Sequence, residues 1–274
     1  MRLLSTEHHH ADAIDSGPGV WHERLKIHSY DVDFRKRATA EAICRSFLEA
    51  AWNHAEQLGF GYGELAKQNK LWVLARLLVQ IDLYPCWGET VELTTWPRGT
   101  TSVFALRDFE IRNAAARTLV AGTSSWLVLN DANHRPQRID KLLFRIPNPE
   151  IRPALGREPK KLRNLETAST AFTAAVRYSD IDVNCHLNSA RYVGWLLDAY
   201  PTNFHESHAL RALEVNYVGE SRWTDTLSIL SYQRGPMEFA HSIVKPDQSE
   251  VCRAEFSWIA EPPSQPFSTL EPHP

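Results

Sequence analysis

The chain has 274 residues, 43% of them hydrophobic and 23% charged, with a formal net charge of −3. Apolar mass on this scale fills one large or two small soluble domains, and the weak acidic excess argues against bulk binding to nucleic acid. Four cysteines, Cys44, Cys86, Cys185 and Cys252, stand far apart without a Cys-x-x-Cys pair, so neither a zinc site nor a dense disulfide framework is implied and the reducing cytoplasm is the expected compartment.

Residues 1–23 read as a flexible tail with no apolar core for a signal peptide. His8, His9 and His10 could meet a metal, but three histidines in a tail are read as incidental. Nowhere is there a run of about 18 apolar residues, so no membrane span is expected. No zinc-ligand spacing and no Gly-rich phosphate loop is present, so the chain is expected to work without metal or organic cofactor.

A first domain is read over 24–146. It opens with a strand-like segment, 24–34. A helix follows over 39–58, where Ile43, Phe47, Leu48, Ala51, Ala55 and Leu58 keep a 3.6-residue period. Four strands split by turn signals come next, at 71–82, 89–96, 102–113 and 117–129. Residues 147–168, "PNPEIRPALGREPKKLRNLETA", are Pro-rich and polar and read as a linker. A second domain, 169–274, repeats the order: a strand at 170–178, then a helix at 188–200 with Tyr192, Trp195, Leu196 and Ala199 on one face. Asn188 or Ser189 caps that helix and Pro201 stops it. Strands follow at 209–218, 224–233, 236–244 and 250–260, with a Pro-rich tail from about 262.

The halves also match locally: "FLEAAW" (47–52) with "WLLDAY" (195–200), "WPRGTT" (96–101) with "YQRGPM" (232–237) through the pairs Arg98-Gly99 and Arg234-Gly235, both read as turns, and "SSWLVL" (124–129) with "FSWIAE" (256–261). Each half is therefore a strand, a helix and an antiparallel meander, an α+β arrangement in which a sheet wraps a long helix and both bury their apolar faces in one core. This resembles the hot dog architecture, twice in one chain.

"SYDVDFRKRATAEAICRSFLEAAWNHA", "LWVLARLLVQIDLYPCWGETVELTTWP" and above all "YSDIDVNCHLNSARYVGWLLDA" resemble the acyl-ACP thioesterases over about residues 25–262. The resemblance implies tandem hot dog domains, chemistry in the second, and an acyl chain received largely by the first. It implies hydrolysis of the thioester of a fatty acyl chain on acyl carrier protein, which is then the partner. The chain begins close to its first domain, so the resemblance points to a bacterial-type cytoplasmic member rather than one with a plastid transit peptide. The tandem repeat supplies the pairing that single hot dog domains obtain by dimerising, and a homodimer of whole chains is also allowed.

On their own terms, Asp182, Asn184 and His186 alternate before a helix, and in extended backbone all three face one way. The helix N-terminus aims unpaired N–H groups and a favourable dipole at the same spot. His186 can move protons near neutral pH, Asn184 can hold a carbonyl or water, and Asp182 can orient either. An Asp/Asn-rich stretch before a helix is also simply a turn and cap. Cys185 alternates to the opposite face and is expected to pack in the core. Aligned by the helices, His186 faces Ala38, Asn184 faces Lys36 and Asp182 faces Phe34, leaving the first half without the set.

Three carboxylates downstream are candidate water activators. Glu214 faces away from Leu213, Val215 and Tyr217, and Asp225 reads as a turn residue. Glu220 ends a strand, where the family's catalytic Glu also lies. Plant members follow that Glu with Cys; here Ser221 follows, so carboxylate-assisted attack by water is expected rather than Cys–His chemistry. Trp52, Trp72, Trp87 and Phe47 are candidate acyl-tunnel walls or plain core. Arg157, Lys160, Lys161 and Arg163 are candidates for docking the acidic carrier. The alternatives are an acyl-CoA or aromatic-CoA thioesterase and, from another class, a non-catalytic acyl-ligand sensor.

Overall fold

The computed structural model describes residues 13–14, 19–101, 103–139, 152–165 and 168–262, so the three tail histidines lie outside it. In the first half, β1 (Ala13–Ile14) and β2 (Trp21–Lys26) precede helix α1 (Ala40–Gln57), a short helix α2 (Tyr62–Ala66), and strands β3 (Lys70–Ile81), β4 (Thr90–Thr101), β5 (Phe104–Arg112) and β6 (Thr118–Asn130). The second half repeats this as β7 (Ser169–Ala175), α3 (Ser189–Leu197), α4 (Thr202–Ser207), β8 (His208–Tyr217), β9 (Thr226–Gly235), β10 (Glu238–Val244) and β11 (Glu250–Ala260).

All eleven strands form one antiparallel sheet in the order β1-β2-β4-β5-β6-β3-β8-β11-β10-β9-β7. The seam between the halves is the β3–β8 pair, in which Arg76 faces Asn216 and Gln80 faces Ala212. Both long helices lie on one face, and the main apolar core runs from Ile43 and Phe47 through Leu77 and Leu213 to Leu196 and Phe256, with a smaller cluster of Ala55, Phe60, Leu65, Val128 and Ile139 beside it.

Local chemistry fixes the helix ends. Thr39 Oγ1 accepts the Ala42 N–H at 3.1 Å and Asn188 Oδ1 accepts the Ala190 N–H at 2.9 Å, each removing one orphan donor. At the other end of α1, Gly59 takes φ +76°, which glycine adopts without strain. Its N–H and that of Phe60 return to Glu56 and Ala55, the glycine-terminated cap that lets the chain leave sharply.

Several expectations change here. The 24–34 strand stops at Lys26, and a loop with a 3-10 turn at Ser29–Asp31 leads into α1. Arg98-Gly99 is not a turn but a bulge within β4: pairing shifts between Pro97 and Gly99, and Gly99 takes φ +127°. Pro97 is tolerated because β2 pairs with β4 only as far as Thr95, so its missing donor is not called on.

Phe47 is not a tunnel wall. It is fully buried, stacks on Phe109 at 4.6 Å, and lies so close over Gly122 that an added methyl there would sit 2.6 Å from its ring. Trp87 is 54% exposed on the surface, with the Lys36 ammonium 5.9 Å from its ring.

The segment 152–165 is a strap across the outer face of the sheet. Leu162 N–H donates to Asn216 Oδ1 at 2.9 Å, and Asn216 Nδ2 donates back to the Lys160 carbonyl at 3.0 Å. Arg157 pairs with the buried Glu214 at 2.7 Å and Lys160 with Glu255 at 2.8 Å. These two cations hold the strap down; Lys161 and Arg163 are exposed. No helix among the described residues is long and apolar enough to cross a membrane.

Candidate active site

Asp182 to His186 do not form an extended strand. They make a tight loop closed by the Ile181–Leu187 bridge, with the Asp182 N–H donating to the His186 carbonyl at 2.8 Å. Cys185 sits at the loop's tip with φ +61° and is exposed, which corrects the core placement that strict alternation predicts. Asp182 organises the turn: its Oδ1 accepts the N–H of Asn184 at 2.8 Å and of His186 at 3.2 Å. Asn184 is exposed at the mouth.

Opposite this loop the chain after β8 runs back along it. The Ser221 carbonyl accepts the Leu187 N–H at 2.8 Å, and His186 bridges to Arg222. That pairing puts the Glu220 side chain beside His186, with Glu220 Oε2 3.1 Å from His186 Nε2. Of the other two carboxylates, Glu214 is buried under the strap on the outer face. Asp225 accepts the Arg222 N–H at 3.0 Å and pairs with Lys245 at 3.2 Å, as a turn residue.

The first half keeps the same loop without the His and Glu side chains. Asp33 Oδ1 accepts the N–H groups of Arg35 and Arg37 at 2.9 and 3.0 Å, and Lys36 takes φ +62°. Asp33 thus corresponds to Asp182 and Arg37 to His186, one residue away from the register that the helix match predicts. Arg37 stacks over Tyr84 at 4.6 Å, where the second half has Glu220. Glu261 then fills the place, at 2.7 Å from Arg37 and 2.6 Å from Arg35.

Asp182, Asn184, His186 and Glu220 all line one cleft of about 1150 Å³. Its remaining walls come largely from the first half: Leu48 and Trp52 of α1, Trp72 of β3, Leu106 of β5 and Trp126 of β6. Trp72 donates its indole N–H to the Phe60 carbonyl at 2.9 Å, leaving its apolar face to the cleft. The matching space in the second half is filled. Trp258, the counterpart of Trp126, packs edge-on against Tyr200 at 4.7 Å and Phe204 at 5.0 Å. Sequence reasoning missed Arg107 on the cleft wall, although "ALRDFEIR" carries the signal: Arg107 shares the inward period of Ala105, Phe109 and Ile111. Among the described residues no group of His, Cys, Asp and Glu side chains could hold a metal ion.

Two wrapped helices on one continuous sheet define a tandem hot dog protein, and among the described residues the His–Glu pair lies in the second half while the first half is hollow. Models of the acyl-ACP thioesterase N-terminal and C-terminal domains match residues 18–145 and 164–260, and the chain belongs to the acyl-ACP thioesterase family. It is 27% identical over 273 residues to a chloroplastic palmitoyl-acyl carrier protein thioesterase of Arabidopsis thaliana, covering 91% of this chain and 66% of that protein. It is 30% identical over 234 residues to oleoyl-acyl carrier protein thioesterase 2 of the same plant, covering 79% and 64%. The chain therefore spans just under two thirds of the length of these plant relatives. Among solved structures, the 12:0-ACP thioesterase from Umbellularia californica superposes with a TM-score of 0.82 at 28% identity, covering 90% of this chain and all of that one. An acyl-ACP thioesterase from Bacteroides thetaiotaomicron gives 0.79 at 26% identity, covering 88% and 98%.

Proposed function

We propose that this protein hydrolyses the thioester of a fatty acyl chain held on acyl carrier protein, releasing the free fatty acid. The observation that carries this is the His186–Glu220 contact of 3.1 Å on the wall of a cleft otherwise built from the apolar interior of the first half. Family membership adds the carrier. In the step, a water oxygen bonds to the thioester carbonyl carbon while the His186–Glu220 pair takes the water's proton. The carbon–sulfur bond then breaks, and the pair returns the proton to the leaving thiolate. The N-terminus of α3 and Asn184 face the developing oxyanion, and donors aimed in advance at such charge contribute about 3 kcal/mol. Four unpaired cysteines suit a reducing cytoplasm.

Two measurements test this. Initial rates on acyl-ACP and acyl-CoA of matched chain length should favour the carrier protein; a preference for CoA would support the rival thioesterase reading. Glu220→Gln, which keeps shape but removes the base, should lower turnover far more than Glu214→Gln. Equal small losses would leave His186 as the sole base and exclude carboxylate assistance.

Asp182 is predicted to act through the loop. Asp182→Ala is expected to lower kcat at least about 100-fold because His186 loses its anchor. Asp182→Asn keeps an Oδ1 acceptor and should recover much of that loss. Equal inactivity of the two folded variants would instead require the charge itself.

A further inference from the structure

We propose that Arg107, backed by His54 and Thr95, forms a polar subsite of the cleft that accepts an oxygen, hydroxyl or carbonyl, carried toward the methyl end of the acyl chain. It rests on the reading of the cleft as an acyl pocket and adds what the chain's far end meets. Arg107 lines the same cleft as His186 yet is only 6% exposed. Its Nη1 donates to His54 Nδ1 at 3.0 Å and to Thr95 Oγ1 at 3.2 Å. Thr95 in turn donates its hydroxyl hydrogen bond to the Asp108 carbonyl at 2.8 Å.

Both partners are uncharged. Burial lowers the His54 pKa to about 3, so the imidazole is neutral and free to accept. Burial also lowers Arg107 to about 9, which still leaves it a cation near neutral pH. Among the described residues no carboxylate pairs with it. Glu49 and Asp131 line the cleft without bonding it, and Asp108 points to the opposite face, toward Arg98 and the strap. Nε and Nη2, the rest of the fork, make no hydrogen bond to a described residue, and neither is sealed from solvent, so both are reachable from the cleft. A buried cation in this state is costly unless something else satisfies its donors.

Position separates it from the chemistry. α1 meets α3 at Glu41, which takes Arg191 at 2.9 Å close to the catalytic loop. His54 is 13 residues further along α1, roughly 20 Å at 1.5 Å per residue. A plain alkyl chain long enough to reach the guanidinium would strip water from its donors and return no acceptor. An oxygen at that depth restores one. Arg107 thus limits unsubstituted chains by length and relaxes the limit for oxygenated ones.

The test is steady-state hydrolysis of acyl-ACPs over a ladder of chain lengths, each with and without a terminal hydroxyl, by wild type, Arg107→Met and Arg107→Lys. In the wild type, at lengths where plain chains begin to fail, the hydroxylated partner should be preferred by at least about tenfold. The ratio should fall to about one in Arg107→Met. Arg107→Lys, which keeps the charge but loses the fork, should fall between and serves if the Met variant does not fold. Plain chains hydrolysed with the same ratio in wild type and folded variants would overturn the subsite and leave the hydrolase reading intact. If wild type hydrolyses neither series, the hydrolase reading fails. Calorimetric binding of ω-hydroxy fatty acids against the parent acids then decides the subsite, with tighter binding of the hydroxy acids by wild type alone expected and equal binding overturning it.

Discussion

Replacing His186 with alanine is expected to lower kcat by at least about 100-fold, the low end of what a positioned acid–base group contributes. The fold should survive. The imidazole is a quarter exposed, and the loop that carries it is closed by backbone bonds and by Asp182 rather than by the ring. Circular dichroism and melting temperature check the fold while single-turnover hydrolysis of acyl-ACP reads the chemistry. Turnover within about tenfold of wild type would remove His186 from the reaction.

Phe47→Ala is the largest expected loss of stability. The ring is fully buried, stacked on Phe109 and pressed over Gly122, so its removal leaves a hole that close backbone cannot fill. Core Phe→Ala changes cost about 3–5 kcal/mol. In a chain of this size that lowers the melting temperature by roughly 10 °C. Phe47→Leu should lose much less. The chain-length profile of whatever Phe47→Ala enzyme stays folded should resemble wild type, because the ring does not line the cleft. Trp52→Ala, at a residue that does line it, is the contrasting variant.

Much of the fold is written in local sequence. Periods of two and 3.6 locate both long helices and the main strands, because burial of one face dictates them. The internal match between Trp126 and Trp258 reveals the repeat but not its asymmetry. One indole lines a cleft and the other is wedged by Tyr200 and Phe204, a difference set by neighbours distant in sequence. At the site, His186 and Glu220 are legible as residues, but their contact depends on the chain from Ser221 pairing with Leu187. Alternation fails from Asp182 to His186 because Asp182 draws the backbone into a turn, and so Cys185 comes out exposed. The linker cations look free in sequence; only the folded sheet brings Glu214 and Glu255 under Arg157 and Lys160.

The covalent join that makes β3 and β8 neighbours in one chain has a consequence for inheritance. In a homodimer of single repeats, every substitution appears at both ends of the seam, so hollowing one interior hollows the other and losing one histidine loses both. Joined in tandem, the halves are copied from separate codons. One half can hold Arg37 and Tyr84, with Glu261 paired to Arg37, where the other holds His186 and Glu220. On the function proposed above, substrate preference can then drift in the first half without touching catalysis in the second, and the two traits become separately selectable within a single molecule.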